Sequence, residues 1–135
     1  MEIRHNIYFK SDINGYKFIE FKLYEEFYEE EENDSKWVKC RNCYSKIALI
    51  SDKININNTN IHIFENPAGI FYRIICFSDA PGLFNITEYT DEDTWFPGCS
   101  WSVSLCRSCN NHIGWHYNSG SGNFYGLIAD RLTGV

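Results

Sequence analysis

The chain has 135 residues, a formal net charge of −6 and an aromatic content of 17%. This length suits one domain with a modest core. The negative charge, with no basic cluster to offset it, excludes the usual nucleic-acid-binding pattern, which needs a positive stripe to contact phosphates. No segment near the start has the pattern of a signal peptide or of a membrane span, so we expect an intracellular, cytoplasmic protein without a membrane partner.

The first part of the chain, residues 1–36, differs in composition from the rest and is predicted to be an N-terminal extension of unknown role. Apolar and charged residues alternate over 19–23, which predicts one strand. Residues 24–34 are acidic and include four consecutive glutamates. Such a segment is typical of a solvated linker or a short exposed helix, and an acidic docking segment is the alternative.

The remainder, residues 37–135, is predicted to be one mainly β domain, because short apolar segments alternate with turn signals and no long helical period follows residue 37. Within the apolar run at 71–77, which predicts a buried central strand, Cys76 is interpreted as a small core residue. Asn-rich residues 52–60 predict an exposed loop. Strands are predicted at 46–51, 61–64, 71–77, 101–105, 115–117 and 124–132.

Two Cys-x-x-Cys pairs predict a metal site formed by Cys40, Cys43, Cys106 and Cys109. Four thiolates complete the tetrahedral shell of a structural zinc and leave no open position for chemistry. The long separation of the pairs indicates that each comes from its own hairpin. Redox dithiols are the alternative, but no helical pattern follows either pair. His112 is interpreted as a non-ligand, because the four cysteines already suffice.

Three tryptophans, Trp95, Trp101 and Trp115, lie with Tyr117 within twenty-three residues of the chain. These side chains could simply form a core. Trp95, however, lies in a predicted loop, where a tryptophan usually makes a functional contact. Trp101 and Trp115 flank the second cysteine pair, which would hold both strands rigid. The pattern therefore favours a small aromatic box for a flat ring or a cation, without choosing between them.

A family resemblance rests on six motifs: HIFENPAG (62–69), IFYRIICF (70–77), WFPGCSW (95–101), CRSC (106–109), HIGWHY (112–117) and FYGLIADRL (124–132). Combined with the tryptophan spacing and both cysteine pairs, these motifs closely resemble the thalidomide-binding (CULT) domain of cereblon, including its single-domain bacterial relatives. The resemblance covers residues 40–132, about two thirds of the chain.

The resemblance implies a β-tent fold, in which two antiparallel sheets join at one structural Zn²⁺ site with four cysteine ligands. It also implies a cage with Trp95, Trp101 and Trp115 as walls and Tyr117 at the base. The ligands of this family are glutarimide and succinimide rings, thalidomide-type drugs, cyclic imides at modified protein C-termini, and uridine-like ureides. The implied function is therefore non-enzymatic binding of cyclic imides or ureides.

The resemblance also implies the polar contacts of the ligand, which come from the loop before Trp95 and from the turn at the mouth of the cage. The imide N–H would donate to the backbone carbonyl of Asp93, and the Trp95 N–H would donate to a ring carbonyl. Asn66 and Pro67 would border the mouth. Asp93 replaces a histidine of vertebrate cereblon, and an ionised carboxylate cannot donate to a ring carbonyl. The chain has no counterpart of cereblon's adaptor-binding helices, so we expect no ubiquitin-ligase adaptor as a partner.

Two other functions are alternatives to imide binding. Zinc-containing methionine sulfoxide reductases share the implied fold, but they need a nucleophilic cysteine on a late strand, and Cys99 is the only nearby candidate. A cage for methylated ammonium groups is favoured by three consecutive acids, Asp91, Glu92 and Asp93, beside Trp95.

Overall fold

A computed structural model describes residues 34–135, and all of its strands lie in one compact unit, Trp37–Val135. The predictions for the strand at 19–23 and for most of the acidic segment lie outside the described residues. Within 34–135, no helix is long and apolar enough to cross a bilayer. The strands are β1 (Trp37–Cys40), β2 (Lys46–Leu49), β3 (Ile61–Glu65), β4 (Phe71–Phe77), β5 (Leu83–Asn85), β6 (Ser100–Cys106), β7 (His112–Ser119), β8 (Gly122–Ile128) and β9 (Leu132–Thr133).

The described strands form two antiparallel sheets. The smaller sheet has the order β2-β1-β9, and the larger has the order β3-β4-β8-β7-β6-β5. The first cysteine pair lies in the turn between β1 and β2, and the second lies in the turn between β6 and β7. Each sheet therefore contributes one cysteine hairpin. This arrangement confirms the predicted architecture of two antiparallel sheets that meet at a four-cysteine site.

The second half of β4 is covered on both faces, which explains its unbroken apolar residues from Ile74 to Phe77. Ile75 and Phe77 point into a core shared with Val38 and Leu132 of the smaller sheet. Cys76 points to the opposite face and joins a second, aromatic cluster. Because successive side chains of a strand alternate between faces, a strand buried on both sides needs apolar residues at every position. Cys76 is fully buried, so its interpretation as a core residue is confirmed.

Several elements differ from the sequence predictions. β4 is second from the edge, not central, and only its last four residues are buried, because the smaller sheet covers only that end. The strand predicted at 124–132 is divided by a 3₁₀ turn, Ala129–Arg131, where the chain crosses from the larger sheet to the smaller one. β5 was not predicted, and β2 ends at Leu49, before a second 3₁₀ turn, Ile50–Asp52.

Candidate functional site

The two cysteine turns have the same backbone geometry. The N–H of Tyr44 donates to the carbonyl of Cys40 at 2.7 Å, and the N–H of Asn110 donates to the carbonyl of Cys106 at 2.9 Å. Tyr44 and Asn110 both adopt left-handed conformations, with φ of 63° and 65°. The left-handed residue reverses the chain just after the second cysteine of each pair. Both sulfurs of each pair are thereby directed to the same point.

The four sulfurs of Cys40, Cys43, Cys106 and Cys109 all lie within 4.8 Å of one another. The Cys40 and Cys109 Sγ atoms are 3.7 Å apart, and the Cys43 and Cys106 Sγ atoms are 3.6 Å apart. A tetrahedral zinc with Zn–S bonds of ~2.3 Å places its sulfurs ~3.8 Å apart. The donor set and its spacing therefore fit a zinc ion, and they join the two sheets at one point.

Polar groups next to the sulfurs complete this metal centre. The Cys43 Sγ donates to the Ser45 hydroxyl at 3.2 Å, and this hydroxyl lies 3.2 Å from the Cys106 Sγ, where it can donate to a thiolate. Such outer contacts orient metal ligands and moderate their charge. His112 is not a member of the sulfur cluster, as predicted, because its Nε2 atom bonds to the Gly114 carbonyl at 3.0 Å.

The thiols of this centre differ in acidity before a metal binds. Burial raises the pKa of Cys40 to about 12. A hydrogen bond from the Asn42 side chain, followed by one from the Asn111 backbone, lowers the pKa of Cys109 to about 6. Thiolates are the metal-binding form. The surroundings therefore favour the thiolate at Cys109 and oppose it at Cys40.

The predicted cage residues come from two paired strands and one loop. Trp101 of β6 lies opposite Tyr117 of β7, and Val103 lies opposite Trp115. Trp115 and Tyr117 are two residues apart on β7 and so share one face of the sheet. Trp95 comes from the loop between β5 and β6. Strand register therefore determines the position of three of the four aromatic side chains.

Backbone carbonyls hold two of the indoles in place. The Nε1 of Trp101 donates to the Glu92 carbonyl at 2.9 Å, and the Nε1 of Trp95 donates to the Glu65 carbonyl at 3.1 Å. The rings of Trp95 and Trp115 lie edge to face, with centroids 5.0 Å apart and an interplanar angle of 77°. Both of these indole N–H groups therefore have backbone partners that fix the orientation of their rings.

A second aromatic layer supports the walls from behind, and sequence reasoning missed it. Phe64 stacks on Trp95 with ring centroids 5.0 Å apart, and Tyr72 meets Trp115 edge to face at 5.6 Å. Phe64 and Tyr72 are direct cross-strand partners in the β3–β4 hairpin. The alternation of side chains along β3 and β4 could have indicated this layer, because it places Phe64 and Tyr72 on the face opposite to Ile63 and Arg73.

The aromatic walls enclose a cavity of about 250 Å³. The structure brings to it all seven residues that sequence reasoning assigned to the cage and its mouth. The base is Tyr117, which is only 2% exposed and whose pKa burial raises strongly. The lining residues are Asn66, Pro67, Asp93, Trp95, Trp101, Trp115 and Tyr117.

The cavity loop offers unpaired backbone groups. Asp93 has a left-handed φ of 56°, which turns the chain sharply between Glu92 and Trp95. Within residues 34–135, nothing hydrogen-bonds to the Asp93 carbonyl or to the Trp95 N–H. The Asn66 Oδ1 atom already accepts from two N–H groups of its own turn, at 3.0 and 2.9 Å. A flat ligand that carries both an N–H and a C=O would satisfy the free acceptor and the free donor of this loop.

The fold and the site define a β domain with two paired cysteine turns and an aromatic cavity. A family model described as "Yippee zinc-binding/DNA-binding /Mis18, centromere assembly" matches residues 36–128, and the chain belongs to this Yippee-Mis18 family. The chain is 33% identical over 105 residues to protein cereblon of Drosophila melanogaster, which covers 69% of this chain and 17% of the relative. The cereblon of Drosophila virilis is 30% identical over the same length, and that match covers 16% of the relative.

These matches confirm the predicted relationship to cereblon. The chain spans about a sixth of the length of the curated relatives that it matches. The family description names zinc, in agreement with the four-sulfur cluster. The relationship to single-domain bacterial proteins stays a prediction.

Proposed function

We propose that this domain binds small cyclic imides or ureides in its aromatic cavity, without chemical conversion. The observation that carries the proposal is the unpaired carbonyl of Asp93 beside the unpaired N–H of Trp95, between indole walls. An imide ring presents an N–H flanked by carbonyls, which is the complementary pattern. The ring faces would pack on Trp101 and Trp115, where aromatic surface replaces water.

The size of the cavity supports a single ring as the bound group. Drug-sized ligands occupy pockets of ~300–1,000 Å³, and this cavity of about 250 Å³ lies just below that range. Substituents would leave past Asn66 and Pro67 at the mouth. A free imide, or an imide formed at the C-terminus of a modified protein, would satisfy this geometry.

Affinity for the ring alone should be modest. A ring of so few heavy atoms at ~0.5–0.8 kcal/mol each yields about 4–6 kcal/mol. That range corresponds to dissociation constants from roughly millimolar to tens of micromolar. The Asp93 side chain adds nothing to a ring carbonyl, since an ionised carboxylate only accepts hydrogen bonds. Backbone contacts would therefore carry the polar part of recognition.

We propose that the metal centre holds one structural zinc ion. Four cysteine ligands fill the tetrahedral shell, so the ion would stabilise the fold and would not bind substrate. Its position at the turn between β6 and β7 would keep the two strands that carry Trp101 and Trp115 in register.

The reductase alternative is poorly supported by the remaining thiols. Burial raises the pKa of Cys76 to about 12, and burial also raises the pKa of Cys99. A nucleophilic cysteine needs the opposite shift. Neither residue is among those that line the cavity.

The methylammonium alternative has one specific observation in its favour. Asp93 lines the cavity beside three indoles, and a carboxylate close to aromatic faces suits a desolvated cation. Competition between glutarimide and trimethyl-lysine for the cavity separates the two functions. Selective binding of trimethyl-lysine would replace the imide proposal.

The direct test is a calorimetric titration of the zinc-loaded protein with glutarimide and with N-methylglutarimide. N-methylation removes the donor aimed at the Asp93 carbonyl and adds bulk there. We expect millimolar to micromolar binding of glutarimide and no measurable binding of its N-methyl form. Equal affinities would contradict the hydrogen-bonding account of this site.

A further inference from the structure

A second, larger groove lies on the other face of the β3–β4 hairpin, away from the aromatic cavity. Its volume is about 560 Å³, roughly twice that of the aromatic cavity. The groove runs between the outer face of the hairpin and the segment at residues 132–135. Its principal lining side chains are Arg41, Lys53, Ile61, Arg73, Ile75 and Leu132.

The ionisable side chains that line this groove, those of Arg41, Lys53 and Arg73, are all cationic, although Val135 with its terminal carboxylate also lines it and the chain carries a net charge of −6. Arg41 is held in position, because its guanidinium donates to the Leu132 carbonyl at 3.2 Å. Arg73 meets Asp130 at 3.8 Å, but both side chains are largely exposed and such a pair is weak. In the described part of the chain, Lys53 has no carboxylate partner. The three cationic side chains outnumber the one carboxylate of the lining, so the groove keeps a net positive charge.

An apolar surface continues from the groove along the hairpin. Ile61, Ile63 and Phe71 share the outer face with Arg73, and Ile63 and Phe71 are 67% and 66% exposed. A contiguous patch of large apolar side chains that are this exposed is typical of a surface that binds a partner. Glu65, opposite Phe71, is the one acidic residue of β3, and it lies at the end of the hairpin away from the groove.

The edge of β3 is open beside this surface. Hydrogen bonds join Asn66 to Ile70 and Cys76 to Asn60, so the even-numbered positions of β3 carry the ladder to β4. In an antiparallel pair the residues between them point their backbone groups outward. Thr59 caps Ile61 and the Nε1 of Trp95 donates to the Glu65 carbonyl, whereas the N–H and C=O of Ile63 have no partner in residues 34–135. An extended chain could therefore pair with this edge at Ile63.

We propose that this groove and the adjoining β3 edge bind an extended, acidic polypeptide segment that also carries apolar side chains. Carboxylates of the segment would meet Lys53, Arg73 and Arg41, and its apolar side chains would cover Ile63 and Phe71. A nucleic acid fits less well, because the lining includes apolar side chains and the acidic chain repels a polyanion at longer range. The proposal does not depend on imide binding, since the two sites lie on opposite faces of the hairpin.

The test uses the full, zinc-loaded chain and fluorescent synthetic peptides. One peptide alternates glutamate with leucine, a second replaces glutamate with lysine, and a third probe is an oligonucleotide of the same charge as the first. We expect the acidic peptide alone to bind, with affinity that falls between about 0.05 and 0.5 M salt as charges are screened.

Two pairs of variants locate the site. Lys53→Glu should raise the Kd of the acidic peptide about tenfold through like-charge repulsion, whereas Lys46→Glu, on the far edge of the smaller sheet, should change it less than about twofold. Ile63→Ser should raise the Kd about three- to tenfold, whereas Ile86→Ser, at another exposed position, should not. Circular dichroism and zinc content would verify that each variant is folded.

Three outcomes would overturn the proposal. Equal effects of Lys53→Glu and Lys46→Glu would show that only net charge matters. Tighter binding of the oligonucleotide would assign the groove to nucleic acid. Absence of peptide binding up to millimolar concentration would remove the site altogether. Glutarimide titration of the same samples would report the aromatic cavity separately, so either proposal can fail alone.

Discussion

Replacing Trp101 tests the aromatic cavity most directly, because this indole is both a wall and an anchor. Its ring lines the cavity, and its Nε1 holds the Glu92 carbonyl at 2.9 Å, next to the Asp93 carbonyl proposed to accept the imide N–H. Trp101→Ala removes both roles. Trp101→Phe keeps a smaller aromatic wall and removes the anchor. Trp37→Ala serves as the matched control, since Trp37 lies in the smaller sheet.

The expected losses follow from these contacts. One of three walls represents about a third of a ring affinity of ~4–6 kcal/mol, or roughly 1.5–2 kcal/mol. The lost hydrogen bond adds about 1 kcal/mol. Trp101→Ala should therefore weaken glutarimide binding about 100-fold, which places it beyond detection, and Trp101→Phe should weaken it about fivefold. Trp37→Ala should leave the affinity unchanged within about twofold, even where it lowers stability.

Isothermal titration calorimetry is the appropriate assay, because tryptophan fluorescence changes with the mutations themselves. Zinc content and melting temperature of each variant show whether it remains folded. If folded Trp101→Ala bound glutarimide within about twofold of the parent protein, the indole could not be a wall, and the proposed ligand position would be wrong. Equal losses for Trp101→Ala and Trp101→Phe would instead assign its effect to the loop anchor.

Cys106→Ser should unfold the domain, because binding free energy at a structural zinc site, ~10–16 kcal/mol, is also folding free energy; a variant that melts like the parent would contradict this. Zinc affinity should fall as pH falls, because zinc binds thiolates and therefore depresses the thiol pKa values. The stability that zinc gives to the fold is then present at high pH and is lost as the thiols become protonated. Near neutral pH, zinc uptake should release a proton from Cys40, whose pKa burial raises to about 12, and little from Cys109, whose pKa is about 6. Calorimetry in buffers of different ionisation enthalpy measures this release. Gly126→Ala should fold but weaken imide binding, because its Cβ would lie 3.1 Å from the tyrosine at the cavity base, whereas Gly114→Ala, with a Cβ 2.2 Å from a backbone oxygen, should not fold.

Local chemistry made much of this protein predictable from its sequence. A Cys-x-x-Cys step must turn tightly to direct two sulfurs at one ion, so Cys40, Cys43, Cys106 and Cys109 could be grouped without coordinates. Alternation along a strand likewise placed Trp115 and Tyr117 on one face. The left-handed conformation of the residue after each cysteine pair could not be predicted from the sequence, because a tyrosine such as Tyr44 rarely adopts it.

Features that depend on pairing between distant segments required the tertiary structure. Ser102 and Ser104 face the interior and are fully buried, because each hydroxyl finds an acceptor at 2.7 and 2.6 Å on a neighbouring segment. No strand pattern within 100–106 could reveal those partners.

The two candidate ligand surfaces show the same division. The spacing of the tryptophans predicted a cavity, but the supporting layer of Phe64 and Tyr72 depends on the register of a different hairpin. The sequence by itself contains no basic cluster, yet the fold brings Arg41, Lys53 and Arg73 to one groove from widely separated positions. Sequence patterns specify contacts between near neighbours and repeated residue types. Charge and shape at a surface are sums over all segments that meet there, and only the packing of the two sheets determines which segments those are.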